Sequence, residues 1–217
     1  MSVAHDFYDA TWGRFFAATY ERLMKDTEEA GMRERRRALV ARAQGTTVEL
    51  GAGTGLNIDH YPDAVTELVL TEPFEPMTRR LRERAGAGRG GRVNVIEAPA
   101  DRLPLDDASA DTVVATLVLC TVDDVPATLA EIARVLKPGG RLLFAEHVRS
   151  ADPGVARWQD RLEIPWRLLG HGCRCNRDTV ASIEGSPLQI ESVELGQLPK
   201  SPPIVRPLAV GSALKSA

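Results

Sequence analysis

The sequence predicts an α/β fold in which a mostly parallel sheet carries helices on both faces and follows an N-terminal helical cap. Three observations support this prediction. Short apolar runs alternate with helical stretches through the middle of the chain, a glycine-rich loop follows the first run, and a helical pattern precedes it. Such alternation is typical of parallel sheets, because two parallel strands need a long crossover connection that is usually a helix.

The N-terminal segment 1–45 is expected to form the cap. Trp12, Phe16 and Tyr20 recur at helical spacing, and a second helix with a polar face is expected over about 27–43. Both helices precede the first predicted strand, so they add a layer outside the alternating pattern.

Five strands are expected in the middle of the chain, each a short run rich in β-branched and aliphatic residues. They are TTVEL at 46–50, ELVLT at 67–71, VNVIE at 93–97, DTVVATL at 111–117 and RLLFAEHV at 141–148. The amphipathic stretch between the last two predicts a helix that ends at the proline and glycines of 138–140, so that the fifth strand begins near Arg141. The glycine-rich segment 86–91 is interpreted as a flexible turn.

The pattern changes after the fifth strand. A helix over about 155–169, a loop with two cysteines, a short helix near 178–184 and two closing strands are expected. Prolines near the C-terminus predict a loop there and leave only about 204–211 to pair in a sheet.

Composition excludes several functional classes. The formal net charge of -3 offers no polybasic field for nucleic acid, and the arginines of 33–37 and 79–84 are interpreted as solvated helix faces because glutamates stand among them. No apolar run approaches the ~20 residues that span a bilayer, and the N-terminus lacks the pattern of a signal peptide. With only three cysteines, reduced thiols and a cytoplasmic location are expected, and a small molecule is the favoured partner.

The sharpest motif is the glycine loop from Glu49 to Gly55, at a predicted strand-to-helix junction. Glycines there allow a tight turn and let a ligand approach the main chain. A dinucleotide fingerprint would place its third glycine at position 56, where the chain has Leu56. The spacing therefore disfavours a nicotinamide cofactor, and the carboxylate of Glu49 could meet a cationic ammonium group.

Acidic and small residues follow the next two predicted strands. Glu72 ends the second strand, where an acidic side chain can accept both hydroxyl protons of a ribose. Ala100 and Asp101 occupy the corresponding loop after the third strand, where an adenine ring would lie against the backbone.

These residues resemble the class I S-adenosylmethionine-dependent methyltransferases, with VELGAGTGLN as the first motif and TEPFEPM as the acidic second motif. Further along, the stretches GLNIDHYP, ATLVLCTVDDVPATLAEIARVLKPGGRLLFAEHV and PWRLLGHGCRCNRDT look like the methyltransferase-like protein seven group, whose human members are thiol S-methyltransferases. The match runs from about residue 19 to the C-terminus.

The resemblance implies a Rossmann-like fold with a seven-stranded sheet and a reversed last strand. It also implies S-adenosylmethionine as methyl donor, S-adenosylhomocysteine as product and a thiol as one candidate acceptor. The chain lacks the hydrophobic N-terminal segment of the animal members and has Glu72 where they have aspartate, so other acceptors stay open. Cys173 matches the family's single cysteine in GHGCRCNRDT, whereas Cys175 stands where an apolar residue is usual.

The expected cofactor site gathers the two motifs, the ends of the third and fourth strands and one aromatic residue of the cap. Its residues are Tyr20, Glu49, Gly51, Ala52, Gly53, Gly55, Asn57, Glu72, Pro73, Met77, Ala100, Asp101, Thr116 and Leu117. The chain is expected to be one domain over 1–217, with the cap at 1–45, a cofactor-binding half at 46–150, and an acceptor-side insertion with the closing strands at 151–217.

The acceptor side is expected near the ends of the fourth and fifth strands. Catalytic candidates are Thr116, Cys120 and His147, whose imidazole could take a proton near neutral pH. Cys120 could equally be a small buried apolar residue, and His147 a histidine hydrogen-bonded to the structure. Glu146 is expected to point to the opposite face of the sheet from His147. Substrate-binding candidates are Trp12, Phe16, His147, Trp166, His171 and Cys173.

No metal site is expected. His171, Cys173 and Cys175 supply an H-x-C-x-C spacing, but no second clustered pair is present, and structural zinc ordinarily has four ligands in close motifs. The favoured function is therefore methylation of a small molecule, most readily a thiol. Three alternatives stay open: an O- or N-methyltransferase of a phenol, quinone or lipid amine, a non-catalytic binding module of the same fold, and a nicotinamide oxidoreductase.

Overall fold

The computed structural model describes residues 8–86 and 93–216. Its strands are β1 (Gly45–Leu50), β2 (Val65–Thr71), β3 (Val93–Ile96), β4 (Ala110–Thr116), β5 (Leu136–His147), β6 (Leu188–Gln197) and β7 (Pro207–Lys215). Its α-helices are α1 (Arg14–Thr27), α2 (Arg33–Val40), α3 (Glu75–Gly86), α4 (Val125–Val135), α5 (Pro153–Leu169) and α6 (Thr179–Glu184).

All seven strands form one sheet in the order β3-β2-β1-β4-β5-β7-β6. The strands β1 to β5 pair in parallel, whereas β7 is antiparallel to both β5 and β6. The predicted mostly parallel α/β sheet with a reversed last strand is therefore confirmed. The carboxyl ends of β1, β2, β4 and β5 share one edge of this sheet, where a ligand crevice is expected.

Two apolar clusters cover the two faces of the sheet. Phe144 packs in one cluster with Leu129 of α4, and Leu143 packs in the other with Leu39 of α2 and Leu81 of α3. Neighbouring residues of β5 thus point to opposite faces, as the two-residue period of a strand requires. This continuous burial explains why the central strands read as unbroken apolar runs.

The N-terminal cap is helical, as predicted, but its second helix is interrupted. Gly31 has φ +130 inside the turn Glu28–Met32, and regular α2 begins only at Arg33. The expected single helix over about 27–43 is wrong in this respect, because a glycine without Cβ permits a kink that other residues resist.

The glycine loop does not lead into an α-helix. After β1 the chain makes a series of turns and one 3-10 turn, Ile58–His60, before β2. The prediction of a strand-to-helix junction is therefore wrong. Pro62 follows closely, and the residue before a proline is disfavoured in helical conformation, so no helix has room to form.

The fifth strand begins earlier than expected. β5 begins at Leu136, not near Arg141, although regular pairing with β4 resumes at Arg141 after a shift in register. Gly139, between these points, has φ +76 and accommodates the irregularity.

The closing strand is longer than expected. β7 runs to Lys215, whereas only 204–211 was predicted to pair, and Pro203–Val205 forms a 3-10 turn before it. Pairing with β5 on one side and β6 on the other extends the strand beyond the predicted end. Of the predicted turn at 86–91, all but Gly86 lies outside the described residues. Among the described residues, no helix is long and apolar enough to span a membrane.

Candidate active site

Three glycines of the loop after β1 adopt positive φ angles, for two different reasons. A Cβ on Gly51 would lie 2.7 Å from Val118, and one on Gly55 would lie 2.6 Å from Ile58, so protein packs directly against both. A Cβ on Gly53, where φ is +58, would meet nothing within 4 Å. Gly53 therefore faces open space, where a ligand can approach the backbone.

Glu72 lies directly after β2 and faces this loop. Its Oε2 accepts a hydrogen bond from the backbone N–H of Gly53 at 2.9 Å, and its Oε1 accepts one from the N–H of Phe74 at 2.9 Å. Burial raises the pKa of Glu72, although both hydrogen bonds act to lower it. Each carboxylate oxygen has a second lone pair, so two further donors can still be accepted.

Glu49 at the end of β1 belongs to a buried polar network. Its Oε1 accepts from Asn57 Nδ2 at 2.8 Å and its Oε2 from the hydroxyl of Tyr61 at 2.7 Å. The same Asn57 amide donates to Thr116 Oγ1 at 3.0 Å, which links the loop to the end of β4. Burial raises the pKa of Glu49 to about 7, against the lowering effects of Tyr61, Asn57 and Arg36.

Two arginines of the supposed solvated runs contribute to this site. Arg36 is only 3% exposed, and its guanidinium donates to Glu28 Oε1 at 2.9 Å and to Asn57 Oδ1 at 3.4 Å. Arg84 donates to the carbonyl of Thr54 at 3.0 Å. The interpretation of Arg36 as part of a solvated face is therefore wrong. The pattern of charges along the sequence could not reveal that Arg36 is buried, because its partner Glu28 lies on the other side of the kink at Gly31.

The remaining cofactor candidates lie around the same edge of the sheet. Ala52 is buried and donates its N–H to the carbonyl of Thr71 at 2.9 Å. Ala100 is buried and Asp101 exposed in the loop after β3, while Leu117 follows β4 with φ +59. Pro73 is exposed and Met77 is buried in α3.

Tyr20 is the cofactor candidate that the cap contributes. It lies on α1, where its ring packs near Phe16 with centroids 5.6 Å apart. Burial raises the pKa of its phenol, and the charges of Arg36, Glu72 and Cys120 are among those that act on it.

Cys120, His147 and Cys173 meet in a buried cluster at the ends of β4 and β5. His147 Nδ1 lies 3.4 Å from the sulfur of Cys173 and 3.7 Å from that of Cys120, and the two sulfurs are 4.0 Å apart. His147 Nε2 is buried and has no hydrogen-bond partner among the described residues. For Cys120 and His147 the sequence left both structural burial and a chemical role open, and the structure brings these two residues together with Cys173.

The three groups of this cluster perturb one another. The pKa of Cys173 is lowered, because its sulfur is hydrogen-bonded to that of Cys120 and lies beside the His147 imidazole. The pKa of Cys120 is raised by its hydrogen bond to Cys173 and by burial. Burial is the largest single effect on His147 and acts to lower its pKa, but the charge and hydrogen bond of Cys173 and the charge of Glu146 together raise the pKa. The cluster therefore holds one thiolate more readily than an isolated thiol would.

Glu146 holds the segment that carries Cys120. Its carboxylate accepts hydrogen bonds from the backbone N–H groups of Val118, Leu119 and Cys120 at 2.9, 3.0 and 3.2 Å. Burial raises the pKa of Glu146, against these three hydrogen bonds. Sequence reasoning set this residue aside as pointing away from His147. A glutamate at the end of a strand gives no sign in the sequence that its partners are backbone amides just past the end of the neighbouring strand.

His171 lies among aromatic rings and is not one of the residues of the cluster formed by Cys120, His147 and Cys173. Its ring packs against Tyr8, Phe16 and Phe74, with centroid separations of 5.8, 5.4 and 4.6 Å. Trp12 donates its indole N–H to the carbonyl of Leu169 at 3.2 Å, which ties the cap to the end of α5. The substrate candidates Trp12, Phe16 and His171 thus lie at one contact between the cap and the loop after α5.

Trp166 of α5 and Cys175 of the loop have other partners. Trp166 packs against the cluster that contains Cys120 and Cys173. The sulfur of Cys175 contacts the carbonyl of Gln159 at 3.7 Å, and burial raises the pKa of Cys175 to about 11. The H-x-C-x-C spacing therefore does not form a three-ligand site in space.

Comparison with known proteins agrees with this geometry. A family model described as a methyltransferase domain matches residues 48–144, from β1 into β5. Thiol S-methyltransferase TMT1B of Rattus norvegicus is 36% identical over 177 residues, covering 78% of this chain and 70% of the rat protein. The protein of the same name from Homo sapiens is 33% identical over 199 residues, covering 85% of this chain and 80% of the human protein. The chain belongs to this methyltransferase family.

Family membership makes the chain an S-adenosylmethionine-dependent methyltransferase, with S-adenosylmethionine as its cofactor. A solved structure supports the fold. It is described as a SAM-dependent methyltransferase, possible histamine N-methyltransferase, from Thermotoga maritima, with a TM-score of 0.70 and 22% identity. The alignment covers 94% of this chain and 98% of that protein.

Proposed function

We propose that this methyltransferase transfers the methyl group of S-adenosylmethionine to a small, largely apolar thiol. The observation that carries the proposal is the buried cluster of Cys120, His147 and Cys173, which lies at the sheet edge where parallel sheets bind ligands. The relatives named thiol S-methyltransferase support the same acceptor.

Four features of the first two motifs fit the cofactor. The open face of Gly53 leaves the loop backbone accessible, and the hydroxyl of Thr54 is buried with no hydrogen-bond partner among the described residues. Glu72 keeps a free lone pair on each oxygen, so it is the residue proposed to accept the two ribose hydroxyls. Glu49 is the carboxylate proposed to balance the ammonium group. The bound cofactor supplies an electrophilic methyl carbon.

The chain's own contribution to methyl transfer is alignment in a water-excluding pocket, because an in-line displacement needs no dedicated acid. The rings around His171 and the tie between Trp12 and α5 supply apolar cover on the acceptor side. Thr116 holds Asn57, and Asn57 holds Glu49, so Thr116 acts here as a positioning residue.

Acceptor chemistry is the reason to prefer a thiol. A thiol with a pKa of about 8.5 is already partly ionised at neutral pH, whereas a phenol with a pKa of about 10 depends more on a base. Among the described residues of the cluster, His147 Nε2 is the atom still available to an acceptor proton. The proposed catalytic group is therefore His147, with Cys120 and Cys173 setting its charge.

The test is a paired assay with a labelled methyl donor, an aromatic thiol and the phenol of the same ring. We expect turnover of the thiol to exceed that of the phenol by at least about tenfold, which corresponds to ~1.4 kcal/mol in activation free energy. Exclusive turnover of the phenol or of a matched amine would overturn the thiol assignment.

The second part of the proposal is a cytoplasmic location. It is supported by the three cysteines, which are all free thiols.

A further inference from the structure

The cluster of Cys120, His147 and Cys173 has the geometry of three metal ligands. The two sulfurs and His147 Nδ1 all lie within 4.8 Å of one another, at separations of 3.4, 3.7 and 4.0 Å. All three side chains are buried, with His147 the most exposed at 8%. Packing alone does not require an imidazole nitrogen to face two sulfurs at once.

These separations match a tetrahedral zinc site. Zinc lies about 2.3 Å from thiolate sulfur and about 2.0 to 2.1 Å from histidine nitrogen, so tetrahedral angles place two sulfurs about 3.8 Å apart and sulfur about 3.6 Å from nitrogen. We propose that Cys120 Sγ, Cys173 Sγ and His147 Nδ1 bind one Zn²⁺ ion. Two thiolates and one neutral imidazole balance the charge of the ion, and the thiol protons pass to solvent.

The surroundings of the cluster support ligation. Glu146 fixes the backbone at Cys120 through its three amide hydrogen bonds, which gives the first ligand a defined position. Such outer contacts orient metal ligands and tune their affinity.

Three protein ligands leave the fourth position of the tetrahedron open. Zinc sites with two cysteines, one histidine and an open position are typical of catalytic rather than structural zinc. If the proposed function holds, the sulfur of the acceptor thiol takes this position and loses its proton to solvent, because a thiol that coordinates zinc is deprotonated. In the zinc-bound protein His147 is then a metal ligand, and it does not take the acceptor proton. Coordination of the acceptor by zinc depends on the proposed thiol acceptor. Metal binding by the three residues does not depend on it.

This proposed metal site differs from the H-x-C-x-C site that the sequence disfavours. The H-x-C-x-C spacing joins Cys173 to His171 and Cys175, which face aromatic rings and the carbonyl of Gln159 respectively. The three residues proposed here are distant in the chain, since Cys120 and Cys173 are 53 positions apart. Short spacing could not reveal them.

Metal content and cobalt spectroscopy test the proposal without an activity assay. Full-length protein purified under reducing conditions should contain about one zinc per chain. After removal of zinc, added Co²⁺ should give a thiolate-to-cobalt charge-transfer band and the strong visible bands of a tetrahedral site. Cys173→Ser should roughly halve the charge-transfer band per bound cobalt, and Cys173→Ser combined with His147→Gln should abolish stoichiometric binding.

Cys175→Ser is the matched control, because it removes a buried cysteine that lies outside the cluster. It should retain the full metal content and the cobalt spectrum. Binding lost equally in the control, or absent in folded wild-type protein, would overturn the proposal. A disulfide between Cys120 and Cys173 in place of metal under the same reducing conditions would also overturn it.

The two proposals fail separately. Methylation of the thiol by protein that binds neither zinc nor cobalt refutes the metal site and leaves the thiol acceptor. One zinc per chain, lost in the double variant but not in Cys175→Ser, together with turnover of phenols only, confirms the metal site and refutes the thiol acceptor.

Discussion

The carboxylate of Glu72 accepts a hydrogen bond from the backbone N–H of Gly53 at 2.9 Å. This bond joins the end of β2 to the one glycine of the loop whose missing Cβ leaves open space. The glycine loop after β1 and the acidic motif after β2 are separate in the sequence but lie side by side in the structure. Glu72 also fixes the conformation of the glycine loop.

Replacing Glu72 should weaken cofactor binding. Glu72→Ala removes the acceptor proposed for both ribose hydroxyls and releases the N–H of Gly53, so affinity for S-adenosylhomocysteine should fall by about 2 kcal/mol or more. Titration calorimetry measures the change. Glu75→Ala, which removes an exposed carboxylate three residues later, should leave affinity unchanged. Equal affinities of the wild type and Glu72→Ala would remove Glu72 from the site.

Gly53→Ala and Gly139→Ala form a matched pair. Both glycines have positive φ, +58 and +76, and a Cβ on either would meet nothing within 4 Å. Each alanine should therefore cost a similar conformational strain, about 1 kcal/mol of unfolding free energy. Only Gly53→Ala should also reduce affinity for S-adenosylhomocysteine, by at least about tenfold, which corresponds to ~1.4 kcal/mol. Denaturant unfolding and calorimetry on both variants check this, and equal cofactor affinities would contradict it.

Glu49 should make stability depend on pH. Its pKa is raised from 4.5 to about 7 in the folded protein, so the folded state holds a proton that the unfolded chain releases between these values. The stabilising contribution is complete below pH 4.5 and is lost as pH rises through about 7. The difference in melting temperature between wild type and Glu49→Gln, measured across this window without cofactor, should shrink or reverse as pH rises. Parallel pH profiles would contradict the assignment.

Glu146 should be more important for stability than its place at a strand end indicates. Glu146→Ala leaves the buried N–H groups of Val118, Leu119 and Cys120 without their acceptor. Each unsatisfied buried donor costs about 1–3 kcal/mol, so the free energy of unfolding should fall by about 3 kcal/mol or more. Glu146→Gln keeps one acceptor oxygen and should lose less. Chemical denaturation measures both, and a loss below about 1 kcal/mol for Glu146→Ala would show that these bonds are dispensable.

The sequence by itself determined the order of strands and helices and the cofactor-side motifs. The loop from Glu49 to Gly55 and the acidic Glu72 are contiguous signals at strand ends, and a parallel sheet must bring such ends to one edge. Their relative position thus follows from the fold class. The signals failed locally where a single residue redirected the chain, as Gly31 does in the cap and Gly139 does at the start of β5.

Only the tertiary structure decided which acceptor-side residues meet. Cys120, His147 and Cys173 come from the ends of two strands and from the loop after α5, and no period or short spacing connects them. His171 has φ +48, and its ring packs among the aromatic residues while its near neighbour Cys173 packs on the sheet edge. Contacts between distant segments depend on how loops close over the sheet, and that information lies in packing rather than in sequence order.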